Sequence, residues 1–538
     1  AAGAAVDWGT ENQPATKGYT WQGEETVTHT GDIFIDTKNA RAFQAYQDGP
    51  YSGHTPIHTA EKGTLVLGSD SATISISSSG TTGESYGVLI FDNSPAAHSE
   101  QLKLDLKGDT VSINAVNTGG YAGALHVSSD VITSDAEKNN TVNITSTHGT
   151  TIYAQGATGA TAIEAMSGGI LTISGPLTAK AELADGSLGD VIYARGNASV
   201  TIGASSETVK LDGNINFGYT KPTSGTAVDA SINLTLSGKD SYWNGNTMIS
   251  WDTKPEDSKL TVSGMTLALK DGATWTPTII TTTGNQQYTS LNNLTLDNGN
   301  IDVNKGIEIV IDKIAGTGFL DNEGTVTLAS GKLNGKTSNN GVINLDPGAS
   351  ISNVTFEQGG ADSSKALIAV EADRTTLNGG MATGEDASAS VADVAVTNDK
   401  NVTIDGIAFK GNTFKVSQNN PIIGTVTANL GSDQSLSITG SNFENNAVVL
   451  NGKGSSGSSG GAAVSVKGQG TDSKLTITGS TFSGNRYEDT KNAANGAYGG
   501  AIGVQNASVT LTGVTLTSNS ANSGKQVQGG AYYQSKGT

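Results

Sequence analysis

The sequence predicts an all-β chain, a right-handed single-stranded parallel β-helix with three short strands per coil, and three observations carry that prediction. Four gapless copies of one pattern end on asparagines at 412, 446, 485 and 519, which are 34, 39 and 34 residues apart. A Val-x-Ile-type unit recurs in the N-terminal half, with isoleucines at 113, 144, 173 and 202, spaced by 31, 29 and 29 residues. No long window carries the i, i+3, i+4, i+7 apolar spacing of an amphipathic helix. A steady period of this length marks a repeat architecture, in which each unit buries its apolar face only against the next.

The C-terminal copies are Asn401–Asn412, Ser435–Asn446, Lys474–Asn485 and Ser508–Asn519. Each holds an apolar-x-apolar strand, a glycine, a second short strand bearing Phe or Leu, and then the asparagine. Between copies lies a third unit, at Gly460-Gly461-Ala462, Gly499-Gly500-Ala501 and Gly529-Gly530-Ala531. Strands stacked about 4.8 Å apart pile equivalent side chains into columns. Phe409, Phe443, Phe482 and Leu516 are therefore expected to stack in the interior. Asn412, Asn446, Asn485 and Asn519 are expected to form an amide ladder in a turn, each satisfying its neighbour. The low-complexity run Gly452–Gly461 reads as a loop leaving a corner.

The N-terminal half repeats the same grammar. Ala42-Phe43-Gln44-Ala45, Ala162-Ile163-Glu164-Ala165 and Val191-Ile192-Tyr193-Ala194 align, with Ala124-Leu125-His126-Val127 and Gly87-Val88-Leu89-Ile90 as relatives. The middle carries Leu234-Thr235-Leu236, Leu260-Thr261-Val262, Leu294-Thr295-Leu296 and Val326-Thr327-Leu328. The expected organisation is an N-terminal cap and first coil over 1–60, variable coils over 61–400, and regular coils over 401–538. Together these would make one continuous, pectate-lyase-like solenoid.

Composition fits strands and tight turns: 71 Gly, 10 Pro, no Cys and 5% aromatics in 538 residues. The lack of Cys excludes disulfides and thiolate metal sites, and suits a chain exported unfolded. With 31 Lys and Arg against 50 Asp and Glu the balance is −19, a poor match for nucleic acid or anionic lipid. Dispersed as it is, that charge reads as solubility. No run approaches the ~18 apolar residues of a membrane-spanning helix. The opening Ala-Ala-Gly-Ala-Ala fits a mature terminus after small-residue cleavage, and a trimmed chain equally.

Leu267–Trp275 and Ser290–Val303 resemble the Trp-bearing coils of bacterial type V autotransporter passenger domains. The Phe-x-x-Asn and Gly-Gly-Ala repeats of 401–531 are similar to those of the polymorphic membrane protein branch of that superfamily. The resemblance covers about 230–531 through motifs, and 1–230 through general grammar only. It implies a surface-exposed or secreted adhesin, exported across the bacterial outer membrane, that binds host glycan or extracellular-matrix protein or associates with itself. The family's C-terminal translocator barrel, with its alternating strands of about 10 residues, has no counterpart here. Membrane anchoring would run through that absent barrel.

No catalytic residue, metal or cofactor is expected. Gly83-Glu84-Ser85-Tyr86-Gly87 matches Gly-x-Ser-x-Gly, but it enters a strand and not a strand–turn–helix elbow. His54 and His58 lie four apart in a loop, where that spacing does not share a face. Polygalacturonase-type signatures are missing, yet Asp pairs on adjacent coils can converge unseen. A polysaccharide-acting lyase or glycosidase thus stays as an alternative, beside a passive stalk. Ligand contacts are expected on loops and strand faces. The candidates are Tyr46 and Tyr51 beside Asp48-Gly49-Pro50; Tyr242, Trp251, Lys254 and Asp257; and Arg486 with Tyr487 in a turn after Asn485. Trp243 and Trp275, 32 residues apart, are expected to stack as structure.

Overall fold

The computed structural model is all-β, and no helix occurs among the described residues. Those residues are 9, 12–13, 18–21, 26–47, 63–92, 101–129, 139–203, 207–219, 230–252, 264–279, 284–339, 342–345, 349–358, 368–370, 375–384, 386–387, 394–396, 402–416, 424–450, 460–489, 497–524 and 526–538. Within 351–400 only backbone is described. The chain divides into two compact units, Ala1–Asn293 and Leu294–Thr538.

In the first unit, strands about one repeat apart run parallel and in register. Leu102–Asn117 lies beside Thr141–Gly156, pairing Leu104 with Val142, Leu106 with Ile144 and Ile113 with Ile152. Thr141–Gly156 in turn flanks two shorter strands, Ile170–Ser174 and Leu177–Leu183. The break between these two falls at Gly175-Pro176. Gly175 takes φ +97°, which a side chain disfavours, and proline has no N–H for the ladder. A separate nine-stranded sheet runs through the same unit: Tyr19–Trp21, Phe43–Gln47, Glu84–Asp92, Tyr121–Ser128, Gly159–Met166, Asp190–Arg195, Asn214–Tyr219, Thr247–Trp251 and Gln286–Tyr288.

The second unit contains the regular repeats. Val402–Lys410 pairs with Ser435–Thr439 and Asn442–Glu444, which stack on Lys474–Thr478 and Thr481–Ser483, then on Ser508–Thr512 and Thr515–Thr517. Phe409, Phe443 and Phe482 form a column inside the sheet. Their ring centroids are 4.7 Å apart at both steps, with interplanar angles of 13° and 3°. All three are fully buried. Leu516 lies opposite Phe482 and continues the row.

The asparagines form a second column. Asn412 Nδ2 donates to Asn446 Oδ1 at 2.8 Å, Asn446 Nδ2 to Asn485 Oδ1 at 2.9 Å, and Asn485 Nδ2 to Asn519 Oδ1 at 2.9 Å. Each Oδ1 also accepts the backbone N–H of the asparagine before it, at 3.0–3.1 Å. The residue preceding each asparagine is left-handed: Gly411, Asn445, Gly484 and Ser518 have φ between 55° and 69°. Gly and Asn tolerate that conformation best, which explains three of these four positions.

The sheet topology corrects the expected fold class. The largest sheet closes on itself as a parallel β-barrel, and the other strands form separate sheets of nine, five and two strands. This is not a single-stranded right-handed β-helix with three short strands per coil. Strands of 16, 16, 13 and 15 residues stand where two short strands and a turn were expected. The pair Thr247–Trp251 and Gln286–Tyr288 is antiparallel. The physical reason lies at positions such as Lys107-Gly108-Asp109. Their polar side chains suit a turn, but the backbone stays extended: Lys107 and Gly108 pair with Thr145 and Ser146, and the register shifts at Asp109 before Thr110 pairs with Gly149.

Candidate functional site

Alternation along the nine-stranded sheet sorts its residues onto two faces. One row, Ala45, Ile90, Val127, Ala165, Ala194, Phe217 and Ile249, is apolar and buried. The adjacent row points to the other face and reads Gln44, Leu89, His126, Glu164, Tyr193, Asn216 and Met248. Five of these seven positions supply a polar or aromatic group, Leu89 and Met248 being aliphatic, and Leu89, His126, Asn216 and Met248 are themselves buried.

The strip is built around His126 and Glu164. His126 Nδ1 lies 2.7 Å from Glu164 Oε2, and the Tyr121 hydroxyl donates to the same oxygen at 3.4 Å. A carboxylate has only acceptors to offer, so His126 donates through Nδ1. The Tyr86 ring meets His126 edge-on at 5.8 Å, and Phe91 lies at 6.3 Å. Tyr86 and Tyr121 are 6.0 Å apart. Two strands further on, Asn216 Nδ2 donates to Asp190 Oδ2 at 2.8 Å. Arg195 Nη2 binds Asp252 Oδ2 at 2.8 Å.

Glycines let the tyrosine rings approach the sheet. A Cβ at Gly123 would stand 2.6 Å from the Tyr86 ring, one at Gly159 3.0 Å from Tyr121, and one at Gly218 2.1 Å from the Tyr193 hydroxyl. These rings therefore cover backbone that has no side chain of its own, a structural role that aromatic residues fill beside sheet glycines. They also line the polar strip with aromatic surface.

Burial pushes the Tyr86, Tyr121 and Tyr193 hydroxyls above their ordinary range, so they remain protonated donors near neutrality. Burial, reinforced by the Glu164 charge and opposed by the Asn216 amide, pushes the Asp190 carboxyl up to about 7. An unfolded carboxyl titrates near about 4. The folded chain therefore holds this proton more tightly, and stability falls as pH rises from about 4 to about 7. Three pH units correspond to about 4 kcal/mol, which the partial exposure of Asp190 reduces to about 2 kcal/mol. Asp190→Asn is expected to recover that amount at pH 8 and nothing at pH 4, as read from urea midpoints.

The expected ligand residues are placed as follows. Tyr242 is half-buried, and its hydroxyl donates to Asp212 Oδ2 at 3.0 Å. Trp251 ends a strand of the nine-stranded sheet, only 9% exposed, next to the Asp252 that holds Arg195. Lys254, Asp257, Tyr51 and the Tyr46 side chain lie outside the described residues, as do His54 and His58. Arg486–Asp489 is a strand and not the expected turn. Arg486 is exposed there, while Tyr487 is fully buried against Phe414, Val448, Ala462 and Ala497, so its ring is not offered to a ligand. The reason is alternation: position 487 continues the inward row Phe414, Val448. Trp243 and Trp275 stack at 5.2 Å and 6°, each donating its indole N–H to a glycine carbonyl, Gly213 or Gly245.

Sequence reasoning passed over His126, Glu164 and Tyr193, although it had aligned the strands that carry them. The signal was the third position of each four-residue unit, which holds His, Glu and Tyr in turn. Among the described residues, no group of three or more His, Cys, Asp or Glu is arranged to hold a metal ion. No described helix is long and apolar enough to cross a membrane. Comparison with protein-family models, with curated proteins and with solved structures finds no match to this chain.

Proposed function

We propose that the chain is a binding module of the bacterial adhesin type, displayed at or released from the cell surface, and that the polar strip of its nine-stranded sheet contacts a host glycan. The supporting observation is the cluster of side-chain contacts that joins Tyr86, Tyr121, His126 and Glu164, with the Asn216–Asp190 pair two strands further on. Aromatic rings flanked by hydrogen-bonding groups suit the mixed apolar and hydroxyl surface of a sugar. The resemblance of 230–531 to autotransporter passengers supports export and display. Binding of the purified chain to a glycan array and to immobilised matrix proteins tests this reading. Binding to glycans, weakened by Tyr121→Ala, is the expected result; binding to matrix protein alone would reject the glycan assignment.

A second reading, glycoside cleavage, is favoured by the carboxyls of Asp190 and Glu164 on neighbouring strands. Asp190 keeps its proton toward neutrality and is the natural acid, leaving Glu164 for the base or nucleophile. Release of reducing ends from a bound oligosaccharide, abolished by Asp190→Asn, would establish it.

A further inference from the structure

We propose that a second face of the N-terminal unit, outside the strip, binds a linear, uncharged polysaccharide, with sugar rings stacking on Tyr153 and Tyr242 and sugar hydroxyls donating to Glu182 and Asp212. Four strands of the largest sheet lie side by side there: Thr141–Gly156, Leu177–Leu183, Val209–Asp212 and Tyr242–Asn244. Their register sets Tyr153, Lys180, Asp212 and Asn244 in one row, with Lys210 beside Tyr242 in the next. Leu211 and Trp243, between these positions, are buried, so alternation turns the polar rows to the other side of the sheet. Tyr153, Glu182, Asp212 and Tyr242 are each half-buried and keep part of their surface open to solvent.

The same arrangement occurs at both ends of the patch. The Tyr153 hydroxyl donates to Glu182 Oε1 at 2.5 Å, and Lys180 Nζ lies 2.6 Å from Glu182 Oε2. The Tyr242 hydroxyl donates to Asp212 Oδ2 at 3.0 Å, and Asn244 Nδ2 to Asp212 Oδ1 at 2.8 Å. A ring anchored through its hydroxyl loses less freedom when a ligand stacks on it. Bonds from Lys180 and Tyr153 hold the Glu182 carboxyl below its ordinary range, so it is an ionised acceptor near neutrality. Each carboxylate oxygen has two lone pairs and uses one in these contacts, which leaves room for a further O–H. Lys180 and Lys210 offset Glu182 and Asp212, and the whole chain carries −19, so a polyanion is not drawn to this face. The two tyrosines stand three strand spacings apart, about 14 Å. A chain of several sugars covers that span; a single ring does not.

The full chain, labelled with ¹³C-tyrosine, is titrated with cello- and manno-oligosaccharides of one to six units and with oligogalacturonates. Tyr153→Phe and Tyr242→Phe identify the two ring signals. The expected result is that longer neutral chains bind more tightly and shift both signals, and that Tyr153→Ala and Tyr242→Ala each weaken the Kd about fivefold, the effect of one aromatic contact. If an alanine variant does not fold, the ring shifts in the unmodified chain decide. Shifts confined to Tyr86, Tyr121 and Tyr193 would overturn the inference and leave the strip reading standing. Monosaccharide bound as tightly as the six-unit chain, preference for oligogalacturonate, or binding of no neutral chain would each overturn it as well.

Discussion

Phe443→Ala is expected to destabilise the C-terminal unit by about 4 kcal/mol, seen as a lowered urea midpoint. The Phe443 ring is fully buried and sandwiched between Phe409 and Phe482, 4.7 Å from each. Its removal forfeits the transfer free energy of the ring, leaves a cavity, and deletes two stacking contacts worth about 0.5–1.5 kcal/mol each. The walls cannot close over the gap. Ladder hydrogen bonds pin Asn442–Glu444 to the strands on either side, so the spacing of the column is set by backbone and not by the rings. Phe443→Leu, which keeps most of the volume, should cost only about 1 kcal/mol.

Asn446→Ala is expected to cost about 3 kcal/mol despite removing a small side chain. Asn446 Oδ1 accepts from both the backbone N–H and the Nδ2 of Asn412, and its Nδ2 donates to Asn485 Oδ1 and to the Phe409 carbonyl at 3.0 Å. All of this lies in the interior. Deleting one member takes a partner from several buried groups at once, each carrying a desolvation cost of about 1–3 kcal/mol, partly relieved by relaxation. Asn446→Asp should not restore stability, because a carboxylate cannot donate to Asn485 Oδ1 or the Phe409 carbonyl. A cost under about 1 kcal/mol for the alanine variant would show that the amide column is dispensable.

Both columns were legible in the sequence because each needs only the period. Once Phe443 and Phe482 are known to be equivalent, parallel register places them in contact whatever the sheet closes into. Closure itself was not legible. Lys107-Gly108-Asp109 carries the residue types of a turn yet runs as extended strand, since small polar residues suit either state and long-range pairing decides. Tyr487 was misread for a related reason. Its neighbours Arg486, Glu488 and Asp489 suggest a solvated loop, but alternation turns position 487 inward. The His126 and Glu164 pairing was within reach, 38 residues apart in aligned units.

In the proposed reading, ligand contact lies on the aromatic and polar strip of the nine-stranded sheet and not on the loops. Hydrogen exchange of the intact chain, with and without a saturating glycan ligand, tests it most directly. Protection concentrated in Glu84–Asp92, Tyr121–Ser128, Gly159–Met166 and Asp190–Arg195 is the predicted result. Protection confined to the C-terminal repeats, with those four strands unchanged, would contradict it.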